Sequence, residues 1–146
     1  MIHIKHWLFV VFAGLVGIII GAVVSFIMTS TMREKAFQIY LDHALSWEEN
    51  EAVTKFKGDS LPVAIYAQDR LIIYANHLKK MSILNESNYS KVVGFAEARK
   101  GFLYESMGEI SKSEEYFKRA VATLKQASIT TDIKELKILL ISSKEK

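Results

Sequence analysis

Four histidines, sixteen carboxylates and no cysteine are what this chain has for chemistry. His3 and His6 stand three residues apart, so on a helix they share one face, as a pair of metal ligands would. They lie at the edge of a long apolar run, where an interfacial role is the simpler reading. His43 follows Asp42, and His77 sits two turns beyond Arg70. Both read as surface or boundary histidines, because no nucleophile and orienting group accompany them in a recognisable pattern. The acidic residues are scattered singly or stand beside Lys and Arg, as in Glu97-x-Arg99-Lys100 and Glu114-Glu115-x-x-Lys118, which is the pattern of solvated helix faces. There is no Gly-rich phosphate loop, GxSxG, HExxH or calcium loop. Without Cys, disulfides, thiolate metal sites and Cys nucleophiles are excluded. The expectation is a protein that binds rather than catalyses, with no cofactor and no metal.

The elements that must position any binding residue begin with an apolar run. From His6 to Met32 the chain has no Asp, Glu, Lys or Arg. Trp7 to Met28 would rise about 33 Å as a helix, enough for a hydrocarbon core of roughly 30 Å. The run is too long for a cleaved leader, and Ser25-Phe26-Ile27-Met28-Thr29 offers no small-x-small cleavage site. Residues 1–32 are therefore expected to be an uncleaved signal-anchor transmembrane helix, with Trp7 as an interfacial aromatic. Lys5 and the terminal amine on one flank nearly balance Arg33 and Lys35 on the other. The short tail favours N-in, C-out, with the C-terminal domain in the periplasm of a bacterial inner membrane. Asn85-Glu86-Ser87 and Asn88-Tyr89-Ser90 are formal glycosylation sequons, relevant only in a eukaryotic lumen.

Within the run, Ala13, Gly17, Gly21, Ser25 and Thr29 recur every four residues and make a ridge without bulky side chains. Such ridges let helices approach closely in lipid. Association of the span with itself or with another subunit's span is expected.

Beyond the membrane the formal charge of +3 is spread over interleaved signs, which gives nucleic-acid binding little support. A stalk helix over 33–57 carries Phe37, Leu41, Ala44, Leu45, Ala52 and Phe56 on one flank, and Trp47 is expected to pack against the domain or a partner. Gly58-Asp59-Ser60-Leu61-Pro62 stops it and opens the domain, 58–146. Val63, Ala67, Leu71, Tyr74, Leu78 and Met81 form the apolar stripe of a helix from Pro62 to about Leu84, with Asp69, Asn76 and Lys80 on its opposite face. Asn85 to Ser90 is a polar break before a helix that Gly108 closes after Met107. Ser111-x-x-Glu114 reads as a capping box for the next helix, in which Ser113, Phe117, Ala120, Val121, Leu124 and Ala127 share a face. Asp132 and Glu135 open a short last helix with Ile133, Leu136, Leu139 and Leu140. No segment alternates with period two, so the fold class is all-α.

Residues 94–127 resemble one tetratricopeptide repeat. The matching positions are Gly101, Tyr104, Gly108, Phe117 and Ala120 within GFLYESMGEISKSEEYFKRA. Glu97, Lys100, Ser113 and Lys125 depart from that pattern, standing where an aromatic, Leu, Ala and Pro are usual. The resemblance implies antiparallel helical hairpins in which Gly101 lets the two helices approach, Tyr104 fills the space beside it, and Phe117 and Ala120 pack across the hairpin. It implies that 33–57 and 62–84 make a degenerate preceding hairpin, and that the last helix caps the exposed face. It places Phe95, Ala98, Phe102, Glu105 and Ser106 on a concave, mostly apolar partner-binding face. In the alternative, Phe95 and Phe102 simply pack on the helix from Pro62 to Leu84.

Together these features lead to the expectation of a membrane-anchored protein–protein interaction adaptor that recruits or stabilises components of a membrane or envelope complex. The alternative is a stoichiometric accessory subunit of a large membrane assembly. The expected partners are the lipid bilayer and other proteins.

Overall fold

The computed structural model describes the backbone of residues 2–144 and the side chains of residues 20–143. Five helices follow one another: α1 (Ile2–Gly58), α2 (Leu61–Lys80), α3 (Glu86–Ser106), α4 (Ile110–Gln126) and α5 (Ile133–Lys144). No strand occurs among the described residues, and the architecture is all-α. The chain divides into two units, 1–40 and 41–146.

The described residues of the first unit are helix alone. Thr29 and Thr31 return their hydroxyls to the carbonyls of Ser25 and Ile27 at 2.7 and 2.8 Å, and Ser30 does the same to Ile27 at 2.9 Å. The helix runs on through Ser30-Thr31, whose hydroxyls bond back to the carbonyl of the preceding turn. Among the described residues no helix is long and apolar enough to cross a membrane. Most of the expected span falls on residues 7–19, whose side chains lie outside those described.

The second unit takes in residues 41–57 of the expected stalk, because Leu45, Ala52 and Phe56 are buried in its cores. Trp47, expected to be packed, is 62% exposed. Gln68 of α2 donates to the carbonyl of Ala52 at 2.7 Å and Arg70 meets Glu48 and Glu51, so α1 and α2 run antiparallel. Tyr89–Asn76 and Lys100–Asp69 set α3 antiparallel to α2. One core gathers Leu45, Ala52, Leu71, Ala75, Leu78 and Val93. A second gathers Phe56, Ala98, Phe117, Leu124, Leu136 and Leu140.

The buried stripe of α2 is Ala64, Gln68, Leu71, Ala75 and Leu78, one residue round from the expected one, and Val63 and Met81 are exposed. Small Ala side chains let α2 lie close to its neighbours, and the polar Gln68 in mid-stripe is held by the Ala52 carbonyl. Asp69 and Asn76, expected on the outer face, instead meet Lys100 and Tyr89 of α3.

Three helices end alike. After α2, α3 and α4 the residue in the left-handed region is Ser82, Gly108 or Ser128, with φ of 57°, 79° and 60°. In each the next amide returns to a carbonyl five residues back: Ile83 to Leu78, Glu109 to Tyr104 and Ile129 to Leu124. This is the double-bonded helix terminator that Gly adopts without strain and Ser only at some cost. The next starts differ from one another. Asn85 caps α3 by accepting from the Asn88 amide at 2.8 Å. Asp132 and Glu135 cap each other's amides reciprocally at the start of α5. The expected Ser111 box is not formed, because α4 begins two residues earlier with Glu109 at its cap, and that cap makes no side-chain hydrogen bond.

Candidate functional site

α3 is the element on which the candidate residues converge, and its packing explains which of them are available. Across the α3–α4 hairpin, a methyl placed on Gly101 would stand 3.0 Å from the Phe117 ring, and one on Gly94 would stand 2.6 Å from Leu124 Cγ. Gly94 and Gly101 are seven residues apart, as are Phe117 and Leu124, so two glycines on one helix receive two large side chains from the other. Phe117 and Ala120 are fully buried in this seam. Tyr104 lies on its flank, stacked on Tyr116 with ring centroids 5.3 Å apart, and Gly108 supplies the turn. Gly94 went unnoticed in the sequence, although its spacing from Gly101 was the available signal.

Of the charged residues that depart from the repeat pattern, Lys125 is exposed, but Glu97 and Lys100 are buried. Glu97 is 3% exposed and meets Arg119 at 2.7 Å and the Thr123 hydroxyl at 3.0 Å. Lys100 is 5% exposed and donates to Asp69 at 2.5 Å and to the Tyr116 hydroxyl at 2.8 Å. The reading of 97–100 as a solvated face is therefore corrected: a buried charge persists here because a partner from the neighbouring helix satisfies it. Burial disfavours the Lys100 charge, but the bonds to Asp69 and Tyr116 outweigh it and raise its pKa above the usual value. Arg99 is less well served. Burial lowers its pKa with only the charge of Glu49 opposing, and its Nη1 is buried without a hydrogen-bond acceptor.

The five residues expected on one partner-binding face are divided by the structure. Ala98 has no exposed surface and belongs to the core. Phe102 is half-buried and sets its ring edge-on to Phe56 of α1, with centroids 5.7 Å apart, so its described ring partner is α1 rather than α2. Glu105 pairs with Lys137 of α5 at 2.6 Å. Ser106 is exposed and returns its hydroxyl to the Phe102 carbonyl at 3.0 Å. Phe95 alone of the five lines an open groove.

That groove, of about 470 Å³, lies between α1 and the first half of α3. Leu45, Leu84, Val92 and Phe95 give it an apolar surface, with the first three nearly buried. Asp42, Ser46 and Glu49 project from α1 on one side, and Asn88 and Lys91 from α3 on the other. An apolar strip between opposite-sided polar rims suits a peptide or helix laid along it.

In the first unit, Gly21, Ser25 and Thr29 lie on α1, and nothing stands within 4 Å of a methyl placed on Gly21. Ala13 and Gly17 lie outside the residues whose side chains are described. Among the described residues no three of His, Asp or Glu are grouped to hold a metal ion. Comparison with family models, with curated proteins and with solved structures finds no match to this chain.

Proposed function

We propose that this chain is a membrane-anchored adaptor whose helical unit, 41–146, binds a segment of another protein in the groove between α1 and α3. The observation that carries the reading is the groove itself, where half-buried Phe95 stands over the edges of the core residues Leu45, Leu84 and Val92 between polar rims from α1 and α3. The paired helices and the Gly101–Phe117 seam are consistent with the resemblance to a tetratricopeptide repeat. The uncharged run from His6 to Met32 supports the anchor. Side chains from Ile20 to Met32 such as Phe26, Met28 and Met32 are exposed, as lipid-facing residues would be. Binding, with no chemical step, is the whole mechanism.

Two measurements test it. Alkaline extraction of membranes should leave the full chain in the pellet, and release into the supernatant would remove the anchor. Phe95→Asp should abolish co-purification of the bound protein while leaving helicity unchanged. Retention of that protein would remove the groove.

A further inference from the structure

We infer that the groove takes a helical protein segment whose apolar face is flanked on the α1 side by two cationic side chains about two turns apart, an inference that rests on reading the groove as the binding site. The unit's own charges argue for it. Among the described residues of 41–143, every carboxylate but two meets a cation within 4.0 Å or caps a helix. The two exceptions are Asp42 and Glu49, and both belong to the groove.

Their placement is as informative as their lack of partners. Seven residues separate them on one helix, so they stand on the same wall about 10 Å apart along it. Leu45 lies between them in sequence and faces the groove. Glu49 has a cation behind it, since Arg99 is close enough for its charge to be felt, but no ion pair forms within 4.0 Å. Asp42 is exposed and makes no ion pair within 4.0 Å. The opposite wall carries Lys91, which also makes no ion pair among the described residues. The groove therefore offers negative charge along α1, an apolar floor, and one positive charge across from it. A helix that fills it with Leu-like side chains meets Asp42 and Glu49 with Lys or Arg at positions i and i+7, and Lys91 with a single acid. A uniformly cationic ligand is disfavoured by Lys91, and a uniformly acidic one by the α1 wall.

The test uses the full chain in nanodiscs of zwitterionic lipid, with empty discs subtracted. The probes are two fluorescein-labelled amphipathic peptides with the same leucine face, one with Lys at the two flanking positions and one with Glu there. Anisotropy should show the Lys peptide binding at least tenfold more tightly. Asp42→Asn with Glu49→Gln should erase that preference and make it independent of salt, whereas Asp42→Lys with Glu49→Lys should reverse it. Asp42 is exposed and Glu49 half-buried, and circular dichroism will confirm unchanged helicity. Phe95→Ser should weaken both peptides. If Phe95→Ser weakens binding but the Asp42 and Glu49 variants do not, the charge inference is overturned and the groove survives. If no variant changes binding, or binding equals that of empty discs, the groove reading fails with it.

Discussion

Replacing Gly94 with Ala sets two effects of known size against each other. In a helix interior Ala is favoured over Gly by about 1 kcal/mol. The added methyl, however, would stand 2.6 and 2.8 Å from Leu124 Cγ and Cδ2, roughly 1 Å inside the optimum carbon separation. Leu124 is fully buried and its backbone amide nitrogen is only 3.3 Å from the same point, so the side chain cannot simply swing away and α4 itself must retreat. Overpacking of this kind costs about 1–3 kcal/mol. The expected net loss is about 1 kcal/mol, which in a unit of this size lowers Tm by about 4–8 °C. Thermal unfolding of the full chain followed at 222 nm reads it. The diagnostic is a reversal of sign: in a Leu124→Ala background the two closest contacts are gone and only the backbone nitrogen at 3.3 Å remains, and Gly94→Ala should then raise Tm. Gly58, with nothing within 4 Å of its added methyl, is the control and should not lose stability as Ala. A rise in Tm for Gly94→Ala in both backgrounds would refute the close α3–α4 seam.

Further outcomes follow from other contacts. Ser128→Gly relieves the left-handed φ of 60° and should stabilise by about 1 kcal/mol, seen as a higher urea midpoint with unchanged slope. Because the Lys100 pKa is raised on folding, its contribution is fully present below the ordinary lysine value and is lost as pH rises through the folded one. Urea midpoints should therefore fall more steeply in the alkaline range for the wild type than for Lys100→Met. Asp69→Asn, which leaves Lys100 with Tyr116 alone, should cost about 1–3 kcal/mol at neutral pH. Arg99→Met removes a buried cation whose Nη1 lacks an acceptor, so stability should hold or rise by about 1–2 kcal/mol. The same change uncovers the Glu49 charge and should tighten binding of a cationic peptide.

The sequence is most legible where apolar period and turn chemistry agree. On α4 and its C-cap, Ser113, Phe117, Ala120, Leu124 and Ala127 are buried and Val121 is half-buried, and Gly108 ends α3 at a positive φ. The Asp132–Glu135 cap of α5 is equally plain. Legibility falls where a polar side chain is buried against a partner distant in sequence. Glu97 and Lys100 read as surface residues because their partners Arg119 and Asp69 lie 22 and 31 positions away. Periodicity is blind to pairings of that range. The same blindness turned the α2 stripe by one residue and put Asp69 and Asn76 on the wrong face. Ser82 and Ser128 hide their helix ends because only tertiary context holds a Ser in the left-handed region. Of the candidate face, Phe95 reaches the groove, but Ala98 is enclosed in the core and Phe102 sets its ring against Phe56 of α1. The groove's acidic wall, Asp42 and Glu49, carried a signal in its seven-residue spacing that stalk-like reading of α1 passed over.

The central claim is that one groove, rather than the surface at large, receives the partner. It is tested most directly by placing a photocrosslinking amino acid at Ser46 and Phe95 in the groove, and at Tyr66 and Lys118 outside it, in full-length protein in its native membrane. The account predicts one discrete adduct of the same mass from both groove positions, lost on Asp42→Lys with Glu49→Lys, and none from the outer positions. Adducts of equal yield from all four positions, or from the outer pair alone, would contradict it.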